Sequence, residues 1–532
     1  DIFCLEWIQT IIHRRIRSIP LRAYRLEDII ENKGMMRRAG MKSIVQAIAT
    51  HAERTPEKVS IIESTGECLS YKEFWNCILT TAQALRQLNV KKNDAVCIEC
   101  VQNAKFLEMI FACQLIGAIY IPLESGFKAE RLKDIRSEIY NCLAVVTTIR
   151  EDDSNNMYTY DMVDDSRECL KNNFEFPSEN DVSEILFTTG TTGKSKGIVL
   201  TNKNNVALAE NIMYGTEMKD DSLELIPLPL SHSHGLRTCY AHFLNGSAVM
   251  LADGVTNVKA LLNAIENYGV TALDLSPSAA KILIKLSKGK LNNYQNQIDY
   301  VELGTAFLDE ETKMQLCNLL PYSRLYNFYG STESGRSCIL NFNDGVVRPG
   351  CIGRPAKNAE FIIVDDNKNE INSFKNNLGL LAIAGTMNMR EYYNEEELTK
   401  ETMHNGYVYT HDLGYIDNEG YVYVLGRADD VINCRGIKIA PEEIESVALK
   451  FSSEIIDSAC IAIEDKVSGQ LPKLFIQIAL HIEDEENLLC RLKDFLYENL
   501  EDSRVPKSIE IIDKIPRTEN GKVLRRILRE RK

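Results

Sequence analysis

Hydrophobic and polar positions along the chain fall into two alternating rhythms. "FLEMIFACQLIGA" carries apolar residues at helical spacing and is followed at once by the apolar run "IYIPL". "NCLAVVTT" and "EILFTTG" are further short β-rich runs that end near Gly or Ser/Thr turns. These spacings predict helices alternating with strands, hence parallel sheets covered by helices on both faces. In such sheets ligands gather beyond the carboxyl ends of the strands. The longest apolar stretch, Phe106 to Leu123, contains Glu108, Gln114 and Pro122, so it reads as a buried helix running into a strand, with no membrane span.

Breaks in this rhythm mark the domain plan. Residues 1–40 hold Arg14, Arg15, Arg17, Arg22, Arg25, Arg37 and Arg38 interspersed with acids, and read as an N-terminal extension outside the fold, with Met41 opening the domain. The polar, acidic stretch from Arg150 to Asp181 reads as a connection between two lobes. A second boundary falls in "LGRADDVI". The expected fold is therefore α/β: a large N-terminal domain of helix-covered sheets over 41–427, then a small, mobile α+β C-terminal domain over 428–532. In that small domain, "KIAPEEIESVALK" predicts a helix with Pro441 in its first turn, Glu442 and Glu443 at its positive end, and Ile444, Val447 and Ala448 as its apolar stripe.

Charge and cysteine usage narrow the partners. The chain of 532 residues has 61 basic and 76 acidic side chains, a net charge of −15, which speaks against nucleic acid or an anionic membrane surface as the main partner. Its 15 cysteines show no disulfide framework, and the pair Cys97 and Cys100 sits in an apolar run that reads as a buried strand. A reduced, cytoplasmic compartment follows as the expectation.

The sharpest local signal is "FTTGTTGKSKG", Phe187 to Gly197. Glycines let backbone N–H groups turn inward as a nest, threonine hydroxyls add donors, and Lys194 and Lys196 supply charge, so the target is a polyphosphate. A P-loop of the G-x-x-x-x-G-K-S type would need glycine where Thr188 stands. Four more motifs follow in order: "NFYGSTES" (327–334), "YTHDLGY" (409–415), "GRADDVINCRGIKIAPEEIE" (426–445) and "PRTENGK" (516–522). Together the five resemble the adenylate-forming superfamily of acyl- and aryl-CoA synthetases, adenylation domains and luciferases, over essentially all of 41–532.

The resemblance implies a ligase that uses ATP and Mg²⁺ to activate a carboxylic acid as its acyl-adenylate, releases pyrophosphate, and transfers the acyl group to CoA, as in fatty acid metabolism. It implies phosphate contacts from Thr188, Thr189, Gly190, Thr191, Thr192, Gly193, Lys194 and Lys196. Gly304, Thr305, Ala306, Asn327, Tyr329, Gly330 and Thr332 would line the rest of the nucleotide site. Glu333 would carry Mg²⁺, Asp412 would accept the ribose hydroxyls, and Arg427 would back the ribose or phosphate with its fixed fork. Lys522, after the tight turn Asn520-Gly521, would bring a cation to the reacting carboxylate and α-phosphate. Asp429 stands at the hinge between domains, and Gly436 would let backbone pass close to the arm of the thiol.

For the acid, His232 stands in the family's histidine position, with Ser233, His234 and Phe328 as further pocket candidates. No acidic residue lies between Pro227 and Thr238, which disfavours an amino acid as substrate. A separate acyl-carrier protein is the alternative acceptor, a luciferase-like oxygenase and a nucleotide binder with decayed chemistry are the rival readings, and a homodimer is compatible with all of them. Two positions depart from the family: Ser195 stands where proline is usual, and His411 where glycine is usual, with strain expected if position 411 needs a positive φ. Deleting residues 1–40 is expected to leave solubility and activity intact; a large loss of either would place that segment inside the fold.

Overall fold

The computed structural model describes residues 40–139, 142–148, 156–165, 174–189, 195–479, 484–517 and 523–531. Lys42–Lys532 forms one compact unit, and the extension read in 1–40 lies, except for Gly40, outside the described residues. Among the described residues no helix is long and apolar enough to cross a membrane.

Among the described residues three sheets organise this unit. The first has seven strands, and its centre is parallel: Ala95–Glu99 lies between Ile119–Leu123 and Cys142–Val146, and Val182–Thr189 joins beside Ile119–Leu123. The expected helix forms as Ala104–Ile116. Asn103 caps it by accepting from Lys105 N, and Gly117 ends it at φ 74°, where a left-handed residue turns the chain back. Almost every residue of that helix is buried, which its all-round apolarity requires. Cys97 lies in the buried strand as expected, its thiol 3.1 Å from that of Cys142.

The second sheet has 14 strands. Its core is parallel: Leu223–Ile226, Ala248–Leu251, Ala272–Leu275, Tyr300–Leu303 and Arg324–Ser331. Beyond Ser331 the sheet turns antiparallel through Gly335–Asn341, Cys351–Pro355, Val422–Arg427, Tyr407–Ile416, Gly379–Gly385 and Ala359–Val364. The parallel sheets expected from alternating helix and strand form the core of this sheet, and the correction is its antiparallel extension, in which consecutive strands with no helix between them pair antiparallel. A second correction concerns 150–181. Within it Met157–Thr159 adds a parallel edge strand to the first sheet, and Tyr160–Asp165 is helical. Tyr160 donates to the Glu99 carbonyl at 2.7 Å, so this polar stretch is packed as well as connecting.

The helix Ser233–Asn245 lies between these two sheets and is buried along nearly its whole length. Toward the first sheet Arg237 pairs with Glu184, and Tyr240 hydrogen-bonds Tyr120. Toward the second, His234, Thr238 and His242 follow at intervals of four on one helix face. They meet Asp274, Glu302 and Glu224 on the parallel strands opposite. Burial lowers His242 to about 3 and raises Glu224 well above the usual carboxylate range. A neutral imidazole therefore meets a protonated carboxyl at 2.8 Å, while Ser247 holds the other ring nitrogen at 2.8 Å.

The third sheet is antiparallel around Ile455–Asp465 and Gly469–Ile478; the other edge of Gly469–Ile478 takes Ile432–Cys434, followed by Ile437–Ile439, at its start and Ser508–Ile511, in parallel, further along. The helix Pro441–Phe451 packs on it through Ile444 and Ala448, with Pro441 in its first turn. Arg525 reaches into this core, 2.8 Å from Glu442 and 2.7 Å from Glu445. Burial, against the pull of Arg525 and with the help of the neighbouring Glu442 carboxylate, raises the Glu445 carboxyl from 4.5 to about 7. The folded state then holds a proton that the unfolded chain releases above pH 4.5, so this group's contribution to stability falls as pH rises from about 4.5 to about 7. Glu445→Gln is expected to remove that slope: thermal melts across this range should show the variant gaining on the parent as pH rises, and a constant difference would refute the assignment.

Candidate functional site

The carboxyl ends of Leu223–Ile226, Ala272–Leu275, Tyr300–Leu303 and Arg324–Ser331 open on one side of the second sheet, and His232, Ser233, Gly304, Thr305, Ala306, Thr332 and Glu333 lie in or just beyond the turns that leave three of them. Three clusters form there.

The first is built on Asp412. Its strand pairs with Val422–Arg427 so that Asp412 stands opposite Arg427, whose Nε lies 3.6 Å from Asp412 Oδ1. Tyr329 donates its hydroxyl to Asp412 Oδ2, and Thr410 Oγ1 accepts from the Asp412 backbone N–H at 3.1 Å. Burial and the adjacent carboxylate hold the Tyr329 phenol well above its ordinary value, so it remains a donor. The carboxylate is thus aimed by a phenol and a guanidinium while its side chain stays only 17% exposed. His411, next to it, lies within the extended strand Tyr407–Ile416 and has no positive φ, so the strain expected for a non-glycine residue there does not arise.

The second cluster is built on Glu333, in the turn joining Arg324–Ser331 to Gly335–Asn341. Ser331 and Ser334 bond each other across that turn. A Cβ on Gly330 would fall 1.7 Å from the Gly335 carbonyl oxygen, and Gly335 itself sits at φ 61°. Only glycine lets these two strands close, which places Thr332 and Glu333 at the tip. Tyr392 donates to Glu333 Oε1 at 2.9 Å, leaving Oε2 without a partner among the described residues. Tyr392 comes from the two-residue strand Glu391–Tyr392, which pairs with Ser195–Thr201 at the edge of the first sheet. Lys196, on that partner strand, holds its ammonium 5.6 Å from the Tyr392 ring centroid. A glycine-rich segment of the first sheet and an acidic turn of the second are thereby brought together by one tyrosine.

The third cluster surrounds Gly304. A Cβ there would lie 2.5 Å from His234 Cε1, so the imidazole is seated directly on the loop that carries Thr305 and Ala306. Thr305 adopts φ +75°, a conformation that costs a β-branched residue on the order of 1–3 kcal/mol. Phe328 is buried with the Arg336 guanidinium 4.9 Å above its ring. Asn327 carries a buried Oδ1 that has no partner among the described residues. His232 is the N-cap residue of Ser233–Asn245, and its imidazole has no partner among the described residues; Ser233 is half-buried beside it.

Other expected residues stand apart from these clusters. Asp429 is exposed in the turn between Val422–Arg427 and Ile432–Cys434, where Arg529 donates to its carbonyl at 2.9 Å and to Asp430 Oδ1 at 2.6 Å. Gly436, at φ 85°, follows Arg435 at φ 52° in the two-residue turn between Ile432–Cys434 and Ile437–Ile439. Positive φ at both central positions makes this a type I′ turn, which suits Gly436. Gly190, Thr191, Thr192, Gly193, Lys194 and Lys522 lie outside the described residues, as do the side chains of Thr188, Thr189 and Ser195. The strands they adjoin, Val182–Thr189 and Ser195–Thr201, form an antiparallel hairpin.

Sequence reasoning missed Tyr392, Thr305's backbone, and the buried set Asp274, Glu302 and Arg336. For the last set a signal existed, since single acids interrupt the apolar strands "ALDL" and "YVEL".

Comparison with known proteins adds to this geometry. The family model described as "AMP-binding enzyme" matches residues 48–393, and that of the "AMP-binding enzyme C-terminal domain" matches 443–522. A 2-succinylbenzoate–CoA ligase of Bacillus cytotoxicus is 27% identical over 494 residues, 92% of this chain and 99% of that one. 4-Coumarate–CoA ligase 3 of Arabidopsis thaliana is 26% identical, covering 88% of this chain and 87% of that one. Among solved structures, o-succinylbenzoate CoA synthetase of Bacillus subtilis in complex with its acyl-adenylate intermediate superposes with a TM-score of 0.81 at 23% identity, covering 91% of this chain and 98% of that one. ATP-bound MatB of Rhodopseudomonas palustris gives 0.80 at 21% identity, over 91% and 98%.

Gly330→Ala is expected to lower the melting temperature by several degrees, because the clash is with backbone that cannot rotate away. Gly406→Ala, where a Cβ meets nothing within 4 Å and only the positive φ of 83° opposes a side chain, serves as the comparison. Equal effects of the two would show that the closeness of the strands at Gly330 is not the constraint.

Proposed function

The chain belongs to the AMP-binding enzyme family, and from that premise we propose that it is an ATP-dependent carboxylic acid–CoA ligase. In the first half-reaction a carboxylate oxygen bonds to the α-phosphorus of ATP as the bond to pyrophosphate breaks. In the second, the CoA thiol gives up its proton and attacks the acyl carbon, and AMP leaves with the electron pair of the broken C–O bond. The observation that carries this reading is Asp412, a carboxylate oriented by Tyr329 and Arg427 at the mouth of the parallel strands. Two acceptor oxygens fixed in that way suit the paired hydroxyls of a ribose.

The other assignments follow from the chemistry each group offers. The unpaired Asn327 Oδ1 supplies an acceptor for the exocyclic amine of adenine, beside the 304–306 backbone and Tyr329. Glu333 fits Mg²⁺, since its free Oε2 is a hard anionic oxygen and Tyr392 steadies Oε1. The ion, when bound, supplies Lewis-acid neutralisation of the phosphate oxygens. Lys196 and the 188–194 segment bind phosphate, and Gly330 and Thr332 shape the turn that presents Glu333. His232, free at the helix N-terminus, borders the acid with Ser233 and Phe328.

The C-terminal residues 428–532 act as a lid that carries Lys522 to the reacting carboxylate and α-phosphate. Asp429, exposed in a turn between two sheets, is the hinge, and Gly436 gives the thiol arm room. Joining two anions needs a positive charge held in place, which is the role of Lys522.

Lys522→Ala is expected to cut ATP–pyrophosphate exchange with the cognate acid by roughly 100- to 1,000-fold while circular dichroism and melting stay unchanged. Exchange near the parent rate would remove Lys522 from the mechanism. Acyl transfer to free CoA, measured beside transfer to a purified acyl-carrier protein, checks the acceptor, and exclusive use of the carrier would overturn CoA.

A further inference from the structure

The row of polar residues on Ser233–Asn245 ends, on the side of the cleft, at His234. Its Nε2 lies 2.6 Å from Asp274 Oδ1, with the carboxylate fully buried. Its Nδ1 has no partner among the described residues, and the ring is seated against Gly304. His234, Asp274 and Glu302 converge as the ligands of a metal ion would, but a cation already occupies that corner. Arg336 Nη1 lies 2.6 Å from Glu302 Oε2, and its Nη2 donates to Thr238 Oγ1 at 2.9 Å and to the His234 carbonyl at 3.0 Å. Thr238 in turn lies 3.0 Å from Asp274 Oδ2 and 2.5 Å from Glu302 Oε1. Burial alone would raise Asp274, but His234 and Arg336 outweigh it and hold the carboxyl below its ordinary range.

Two features of this arrangement bear on the substrate. The acids are engaged by His234, Thr238 and Arg336, so no carboxylate stands ready for an ammonium group. The floor is also closed: Asp274 and Glu302 are fully buried, and the Phe328–Arg336 stack fills the space beside them. A long alkyl chain laid against this floor would meet the acids and the guanidinium stacked on Phe328, and would strand the open imidazole nitrogen.

We propose that His234, held by Asp274, is a specificity-determining residue of the acid pocket, and that the acid is compact and carries a second oxygen-bearing group, a hydroxyl, oxo or further carboxyl, that bonds His234 Nδ1. This rests on the ligase reading above. It assigns a substrate class that neither the motifs nor the fold supply.

The test measures pyrophosphate release by the full chain over matched acids: butanoate against 4-hydroxybutanoate and butanedioate, benzoate against its hydroxy and carboxy derivatives, and decanoate. The parent enzyme is expected to favour the oxygen-bearing member of a pair by about ten-fold or more in kcat/KM, because a site built around a hydrogen bond discriminates against its absence. His234→Phe should cut that ratio about ten-fold, and His234→Asn, which keeps a polar group, should retain part of it. Asp274→Asn gives a second reading of the same ratio should the phenylalanine variant fail to fold. Preference for decanoate or for the plain members, or a ratio unchanged in every folded variant, would overturn the proposal and leave the ligase reading standing. Release with none of the acids, while ATP still binds, would strike the ligase reading itself.

Discussion

Everything else in the large domain is arranged around one constraint: a helix that carries polar and charged side chains on two faces is buried between two sheets. Ser233–Asn245 sends Arg237 to Glu184 on one sheet and His234, Thr238 and His242 to Asp274, Glu302 and Glu224 on the other. An isolated charge at such depth costs several kcal/mol, so each group is tolerable only while its partner stays within reach. Neither sheet can then slide along the helix without breaking a buried pair. The two sheets are held in one relation, and the cleft at their strand ends inherits it.

That relation explains how distant motifs become neighbours. The hairpin that carries Lys196 belongs to the first sheet and the acidic turn around Glu333 to the second, more than 130 residues apart by number, yet Tyr392 bonds Glu333 with its hydroxyl and has the Lys196 ammonium 5.6 Å from its ring centroid. Asp412 reaches the same mouth by a different route, through antiparallel strands that extend the second sheet past Gly335. Local chemistry finishes each placement. Gly330 permits the tight closure beneath Glu333, and the Tyr329 phenol, kept protonated by burial, aims Asp412.

Much of this was legible beforehand, for identifiable reasons. Helix Ala104–Ile116 and strand Ile119–Leu123 declared themselves through periodicity, and Pro441 marked its helix start, because these signals are local. The adenylate-forming resemblance rested on motifs whose residues are adjacent in sequence. What stayed hidden was pairing at a distance. The antiparallel half of the second sheet arises from hairpins whose strands give no sign of direction. Met157–Thr159 is too short to rise above its polar surroundings. Glu184, Glu224, Asp274 and Glu302 were visible as acids interrupting apolar strands, but their partners came from a helix whose charged face no strand could announce. His411 illustrates the reverse: a departure that looked strained in sequence is ordinary once its residue lies in extended backbone.

Tyr392 has a consequence of its own. It hangs from a two-residue edge strand of one sheet, and its hydroxyl steers a carboxylate that belongs to the other. Because the buried helix holds the two sheets in one relation, that hydroxyl holds the acidic turn to the edge of the first sheet. A single phenol therefore works as a mechanical linkage between two slabs of structure, setting the bearing of one acidic group.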